Sequence, residues 1–160
     1  MTTRFKRHTT ALFGAPFALL LGAVVALAAV NPLVGTWHLN VAKSKFRTSA
    51  PPKSAIAKVL SKDGEISVQL SIVNGNGKKG EFQYNASYDG KDYPMTGSQV
   101  FDAISLKRID GHTDEVIYKE KGRVIRTSKR TVSNDGKTLT ITDEAPSGKS
   151  ASVVSVWDRQ

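Results

Sequence analysis

Few side chains in this chain could do chemistry, and the most telling fall between Arg123 and Val132, where alternation places Val124, Arg126, Ser128, Arg130 and Val132 on one face of an extended segment. If the two valines face a core, both guanidiniums face it as well. An interior guanidinium is costly without compensation, so it implies a buried acid, water in a cavity, or an anionic ligand head group. The alternative is that the face carrying Ile125 points inward, or that a bulge switches the register. Tyr84, Tyr88 and Tyr118 fall at alternate positions among apolar residues, where each would offer a mixed cavity an apolar ring with a hydroxyl tip. On the inward reading Arg126, Arg130, Tyr84, Tyr88 and Tyr118 are the candidate ligand-binding residues. Replacing either arginine by Met should then weaken binding of an anionic ligand while the empty fold holds or gains stability.

The residues that usually carry catalysis are sparse. His38 and His112 are the only histidines beyond residue 29, and they lie too far apart in the pattern to build a metal cluster. Serines are plentiful, but none sits in a nucleophile-elbow spacing. Asp89 and Asp92 flank a Gly turn and are read as turn formers rather than calcium ligands. The expectation is a protein that is not an enzyme, with no catalytic residue, no metal and no cofactor.

The elements that must position the arginines and tyrosines are strands. The stretch Leu33 to Asn40 opens the series, with Gly35, Trp37, Leu39 and Val41 on one face and Val34, Thr36, His38 and Asn40 on the other. A Gly beside a buried Trp admits a second backbone closely while the indole fills volume. Val41 to Ser54 has no clean period and ends near Pro51-Pro52, and is expected to be a loop. From Ala55 onward, apolar alternation is punctuated by Asp63-Gly64, Asn74-Gly75-Asn76-Gly77, Asp89-Gly90, Asp110-Gly111, Lys121-Gly122, Asp135-Gly136 and Ser147-Gly148. Each is a hairpin signal, so neighbouring strands are antiparallel and the topology is a meander. Lys91 to Asp110 should hold a short edge strand and a bend before Ala103 to Arg108. The count comes to about eight to ten strands, at which antiparallel sheets commonly close into barrels; a two-sheet sandwich is the alternative.

The start of the chain has a different character. Arg4, Lys6 and Arg7 precede an uncharged apolar run from Ala11 to Ala29 that ends in Ala26-Leu27-Ala28-Ala29. This reads as a signal peptide over residues 1–29, followed by a single β-barrel domain over residues 30–160, with the exported chain beginning at Ala29 or Val30. No stable transmembrane anchor is expected once the leader is cleaved, and the expected location is periplasmic or secreted. The 160 residues suit one domain, and the absence of cysteine excludes a disulfide scaffold, a thiolate metal site and a Cys nucleophile. Removing the three leader cations from the 23 basic residues leaves 20 against 14 acidic residues, a moderate +6. Such basicity serves solubility or anionic partners. Nucleic acid is not expected, because the aromatics occupy core-like alternate positions instead of interleaving with Lys.

The opening strand Gly35-Thr36-Trp37-His38-Leu39 and the closing Ser155-Val156-Trp157-Asp158-Arg159 together resemble the calycins, the lipocalins and intracellular fatty-acid-binding proteins, and most of all the small bacterial exported lipocalin-like proteins. The resemblance implies an up-and-down barrel whose Gly-x-Trp strand packs beside the last strand, with a basic side chain over the Trp. Gly35, Trp37, Trp157 and Arg159 would be its barrel-end structural residues. Fatty-acid-binding proteins end in Arg-x-Tyr, which clamps the ligand carboxylate; Ser155 and Trp157 stand at those positions, so that clamp is missing. Their helical lid has no equivalent in Val41 to Ser54 either. The function implied is a non-catalytic exported protein holding a small hydrophobic or anionic amphipathic ligand, with lipid binding as the broad type. The alternative is a structural or interaction module of the cell envelope with a filled barrel and no small ligand.

Overall fold

A computed structural model describes residues 31–47, 50–144 and 153–160. The leader and the Ser147-Gly148 turn lie outside the described residues. Ten strands follow in order: β1 (Gly35–Lys45), β2 (Ser54–Lys62), β3 (Glu65–Val73), β4 (Lys79–Ser87), β5 (Asp92–Thr96), β6 (Ala103–Arg108), β7 (Thr113–Glu120), β8 (Arg123–Val132), β9 (Thr138–Glu144) and β10 (Val153–Arg159). Each pairs antiparallel with its sequence neighbour, and β10 returns to β1 to close the barrel. Every strand therefore has a hydrogen-bonded neighbour on both sides. Among the described residues there is no helix, and the meander is the all-β architecture that the turn spacing predicts.

Two of the turns have the backbone of a tight hairpin loop at both positions of their dipeptide. Asp63-Gly64 and Lys121-Gly122 both have positive φ at both positions (52° and 83°, 50° and 77°). That is the twist a two-residue hairpin loop needs, and glycine supplies half of it without a Cβ clash.

Two local expectations are corrected. β1 does not end at Asn40 but runs to Lys45, past an irregularity in its pairing with β10. The Ser44 hydroxyl donates to the Asn40 carbonyl (2.6 Å) and accepts from the Val156 N–H (2.9 Å), so a side chain stands in for the missing ladder bonds. The expected loop therefore begins only after Lys45. In β8, Arg126 faces Tyr118 but Val124 faces Lys119, so Ile125 is the extra residue of a bulge. The bulge turns Val124 outward, 42% exposed, while Val132 is buried. The inward face of β8 thus begins at Arg126, not at Val124.

The interior is uneven along the barrel axis. At the end where β1 begins and β10 finishes, Trp37, Ile66, Ala86, Ile104, Leu106 and Val116 are fully buried and fill the lumen. Toward the other end the inward apolar residues, among them Leu39, Leu70, Ile72, Met95 and Ile141, are only partly buried. One half is solid and the other hollow.

Candidate functional site: a half-hollow barrel with one polar wall

The closed end is tied down by backbone carbonyls. Arg159 stacks its guanidinium 4.2 Å from the Trp37 ring centroid and donates to the carbonyls of Pro32, Val34 and Gly136. One side chain thereby joins β10, the segment before β1 and the β8–β9 turn. A Cβ at Gly35 would stand 2.4 Å from Arg159 Nη1, so only glycine leaves room for the stack. Trp37 is 0% exposed and its Nε1 donates to the Leu33 carbonyl at 2.8 Å, which draws Leu33 down as a plug.

Above this plug lies a cavity of about 760 Å³. Its walls differ. β1 to β5 contribute Leu39, Ala57, Leu70, Ile72, Phe82 and Met95, an almost wholly apolar surface. β7 to β10 contribute Tyr118, Arg126, Asp143 and Ser155 between Leu139, Ile141 and Trp157. Phe46, Pro52, Lys78, Lys79, Phe101 and Val153 line it toward the mouth. Trp157, on the last strand, donates from Nε1 to Ser155 Oγ at 3.0 Å, so the two positions where fatty-acid-binding proteins keep their clamp bond to each other.

The cavity floor carries a buried polar network. Arg130 is 6% exposed and grips Asp114 with two bonds, Nε to Oδ1 at 2.7 Å and Nη2 to Oδ2 at 2.9 Å. Its Nη1 donates to the Tyr84 hydroxyl at 2.8 Å. Tyr88 donates to Asp114 Oδ2 at 2.8 Å and accepts from Asn31 Nδ2 at 3.2 Å, with the Arg108 guanidinium 3.8 Å from its ring centroid. Burial pushes the Tyr84 phenol well above its ordinary range, against the opposing pull of Arg130, and burial with the Asp114 charge raises Tyr88. Burial alone would lower the basicity of Arg130, but Tyr84 and Asp114 outweigh it and the guanidinium is held charged. Of the three compensations open to an interior arginine, Arg130 has the buried acid. Tyr84 and Tyr88 are its bonding partners, and Tyr88 stands away from the cavity lining.

Arg126 is in a different situation. It lies in the polar wall with its guanidinium 4.2 Å from the Tyr118 ring centroid and 4.7 Å from that of Phe101, the two rings being 5.0 Å apart. Its contact to an acid is a loose 3.4 Å from Nη1 to Asp143 Oδ2, and its Nε is buried with no partner. Asp143 is otherwise engaged, accepting from the Ser128 hydroxyl at 2.5 Å.

The two acids escaped the sequence reading although the signal was present. Asp114 precedes Val116 and Tyr118 in strict alternation and lies directly opposite Arg130. Asp143 continues the Leu139 and Ile141 face and lies opposite Ser128. Each is a single Asp near the end of an apolar alternating run, a residue type that by itself does not tell an inward from an outward position.

His38, Asp89 and Asp92 are at the surface. His38 shares a hydrogen bond with Gln160, Asp89 accepts from the Lys91 backbone and Tyr93, and Asp92 pairs with Lys119. Among the described residues, no group of three or more His, Cys, Asp or Glu could hold a metal ion. No family model matches the chain, and no curated protein matches it significantly. The closed antiparallel barrel with Arg159 over Trp37 is compatible with a calycin-like fold.

Proposed function

We propose that this is a non-catalytic, exported, lipocalin-like protein that holds one small hydrophobic or amphipathic molecule in the open half of its barrel. The observation that carries the reading is the cavity of about 760 Å³ with one apolar and one polar wall. That volume falls within the roughly 300 to 1,000 Å³ of small-molecule sites. Residues that could have filled it do not: the partly buried Leu39, Leu70 and Ile72 face space, whereas the same strands pack solidly one level below. An apolar wall of this kind yields affinity in proportion to the ligand surface removed from water, roughly 25 cal/mol per Å². Arg126, Tyr118 and Ser155 supply the few polar contacts that orient a ligand. The cavity weighs against a filled barrel acting only through its basic surface.

The test is titration with an environment-sensitive neutral apolar dye. Saturable binding with a single site is expected, and Ala57→Trp, which puts an indole into the lumen, should abolish it while far-ultraviolet circular dichroism and a cooperative urea transition stay native. Absence of saturable binding to the unmodified protein would refute the reading.

A further inference from the structure

We propose that the ligand meets Arg126 through a neutral hydrogen-bond acceptor, a carbonyl, ester or hydroxyl oxygen on an otherwise apolar molecule, and not through a carboxylate or phosphate. This rests on the cavity-binding reading above and specifies its ligand class.

Charge balance separates a neutral acceptor from an anion. Two guanidiniums line the cavity, and each already has a carboxylate: Arg130 has Asp114, and Arg126 has Asp143. Each of the three nitrogens of Arg130 has a partner, two on Asp114 and one on Tyr84, and its charge is answered by Asp114. Arg126 already has a negative charge beside it, since Asp143 is held in place by the buried Ser128 hydroxyl. An anionic head group entering here would come up against the Asp143 carboxylate at a pair that is already balanced, and with the two side chains only 34% and 23% exposed the repulsion is incompletely screened. The lysines that could offset it, Lys78 and Lys79, are at the mouth and exposed to water, where their effect is screened.

What Arg126 lacks is not charge but acceptors. The contact to Asp143 is long at 3.4 Å, the Phe101 and Tyr118 rings packed together on one side of the guanidinium accept no conventional hydrogen bond, and Nε is buried with no partner. A guanidinium with unfilled donors is an undersatisfied group, and an uncharged oxygen relieves it without disturbing the balance. The apolar body of the same molecule would lie across the lumen on Leu39, Leu70, Ile72 and Phe82. Arg126 stands in the upper part of β8, beside Phe101 of the β5–β6 connection, so the acceptor would sit near the mouth and the chain would point inward.

Competitive displacement of the neutral dye decides, using an alkane, the primary alcohol, the methyl ester and the carboxylate of one chain length at neutral pH. The ester and alcohol should displace at concentrations about tenfold or more below those of the alkane and the carboxylate, the gain of one hydrogen bond to a charged donor. Arg126→Met should erase that margin over the alkane. Asp143→Asn, which removes the competing charge and keeps the side-chain shape, should invert the order so that the carboxylate becomes the tightest of the four. A carboxylate that binds tightest to the unmodified protein, or a margin that survives Arg126→Met, overturns the inference while the cavity reading stands. If the dye binds nowhere, the cavity reading falls and takes this inference with it.

Discussion

Arg126 and Arg130 share one face of β8 four residues apart, yet removing them should have opposite effects. Arg130→Met leaves Asp114 buried and unpaired, and should destabilise by about 3 to 5 kcal/mol in urea unfolding. The double replacement Arg130→Met with Asp114→Leu should recover most of this, since the cost lies in the stranded charge. That revises the expectation from sequence, under which the empty fold tolerates loss of either arginine. It still applies to Arg126: Asp143 keeps Ser128, and a buried unpartnered Nε disappears, so Arg126→Met should shift the urea midpoint little or upward. Trp37→Ala should cost about 3 to 5 kcal/mol, because the indole is wholly buried and its bond to Leu33 holds the plug. His38→Ala, on the outer face of the same strand, should change stability by less than about 0.5 kcal/mol. These contrasts follow from period-two alternation, which made the faces of β1 legible. The partners of the arginines were harder, because a lone Asp at a strand end carries the same letters whether it points inward or out.

The hairpins were the most legible elements, since Gly at a turn leaves a compositional mark. The β8 bulge left none: Ile125 is an ordinary strand residue, and only the pairing across to Tyr118 and Lys119 reveals that one residue too many lies between the turn and the core. The same holds for the extension of β1, which depends on the Ser44 hydroxyl replacing backbone partners. Glycines of equal φ also differ in ways that sequence does not register. Gly64 and Gly97 both have φ of +83°, but a Cβ at Gly64 meets nothing within 4 Å, whereas at Gly97 it would lie 1.9 Å from the Glu81 carbonyl oxygen. Gly64→Ala should therefore cost about 1 kcal/mol, the penalty for a left-handed backbone alone. Gly97→Ala must in addition push the β5–β6 connection off β4, and should lower the urea midpoint by at least twice as much. Equal midpoints for the two variants would show that the Gly97 contact relaxes freely. Because Gly97 lines the cavity beside Phe101, its displacement should also weaken dye binding.

The barrel as a whole combines a packed half that carries stability with a half whose side chains are spaced apart, and its response to pH should come from both. Asp89, Asp110, Asp135 and Asp158 are held below the usual carboxylate range, chiefly by the Lys91 N–H, the His112 N–H, the Ser133 hydroxyl and the Asn40 amide respectively. A lowered folded-state value gives stability that is present above the unfolded value near pH 4 and lost as pH falls through the folded one. Tyr84 and Tyr88 are raised, so their contribution is present below about pH 10 and lost as pH climbs above it. Urea midpoints should therefore be flat between these limits and fall on either side, and the phenolate absorbance of these two tyrosines should develop only as the protein unfolds at alkaline pH. For export, N-terminal sequencing of protein recovered from the cell envelope or medium should find Ala29 or Val30; an intact Met1 would contradict the leader. Whether the lumen is occupied was the least legible property of the sequence, because alternation tells which side chains point inward but not whether they meet. Native mass spectrometry of the protein purified from its own host tests this most directly. The account predicts a mass excess corresponding to one uncharged, oxygen-bearing apolar molecule per chain, lost on unfolding and absent in Ala57→Trp. Only the mass of the bare chain, from a protein that also takes up no neutral apolar dye, would contradict it.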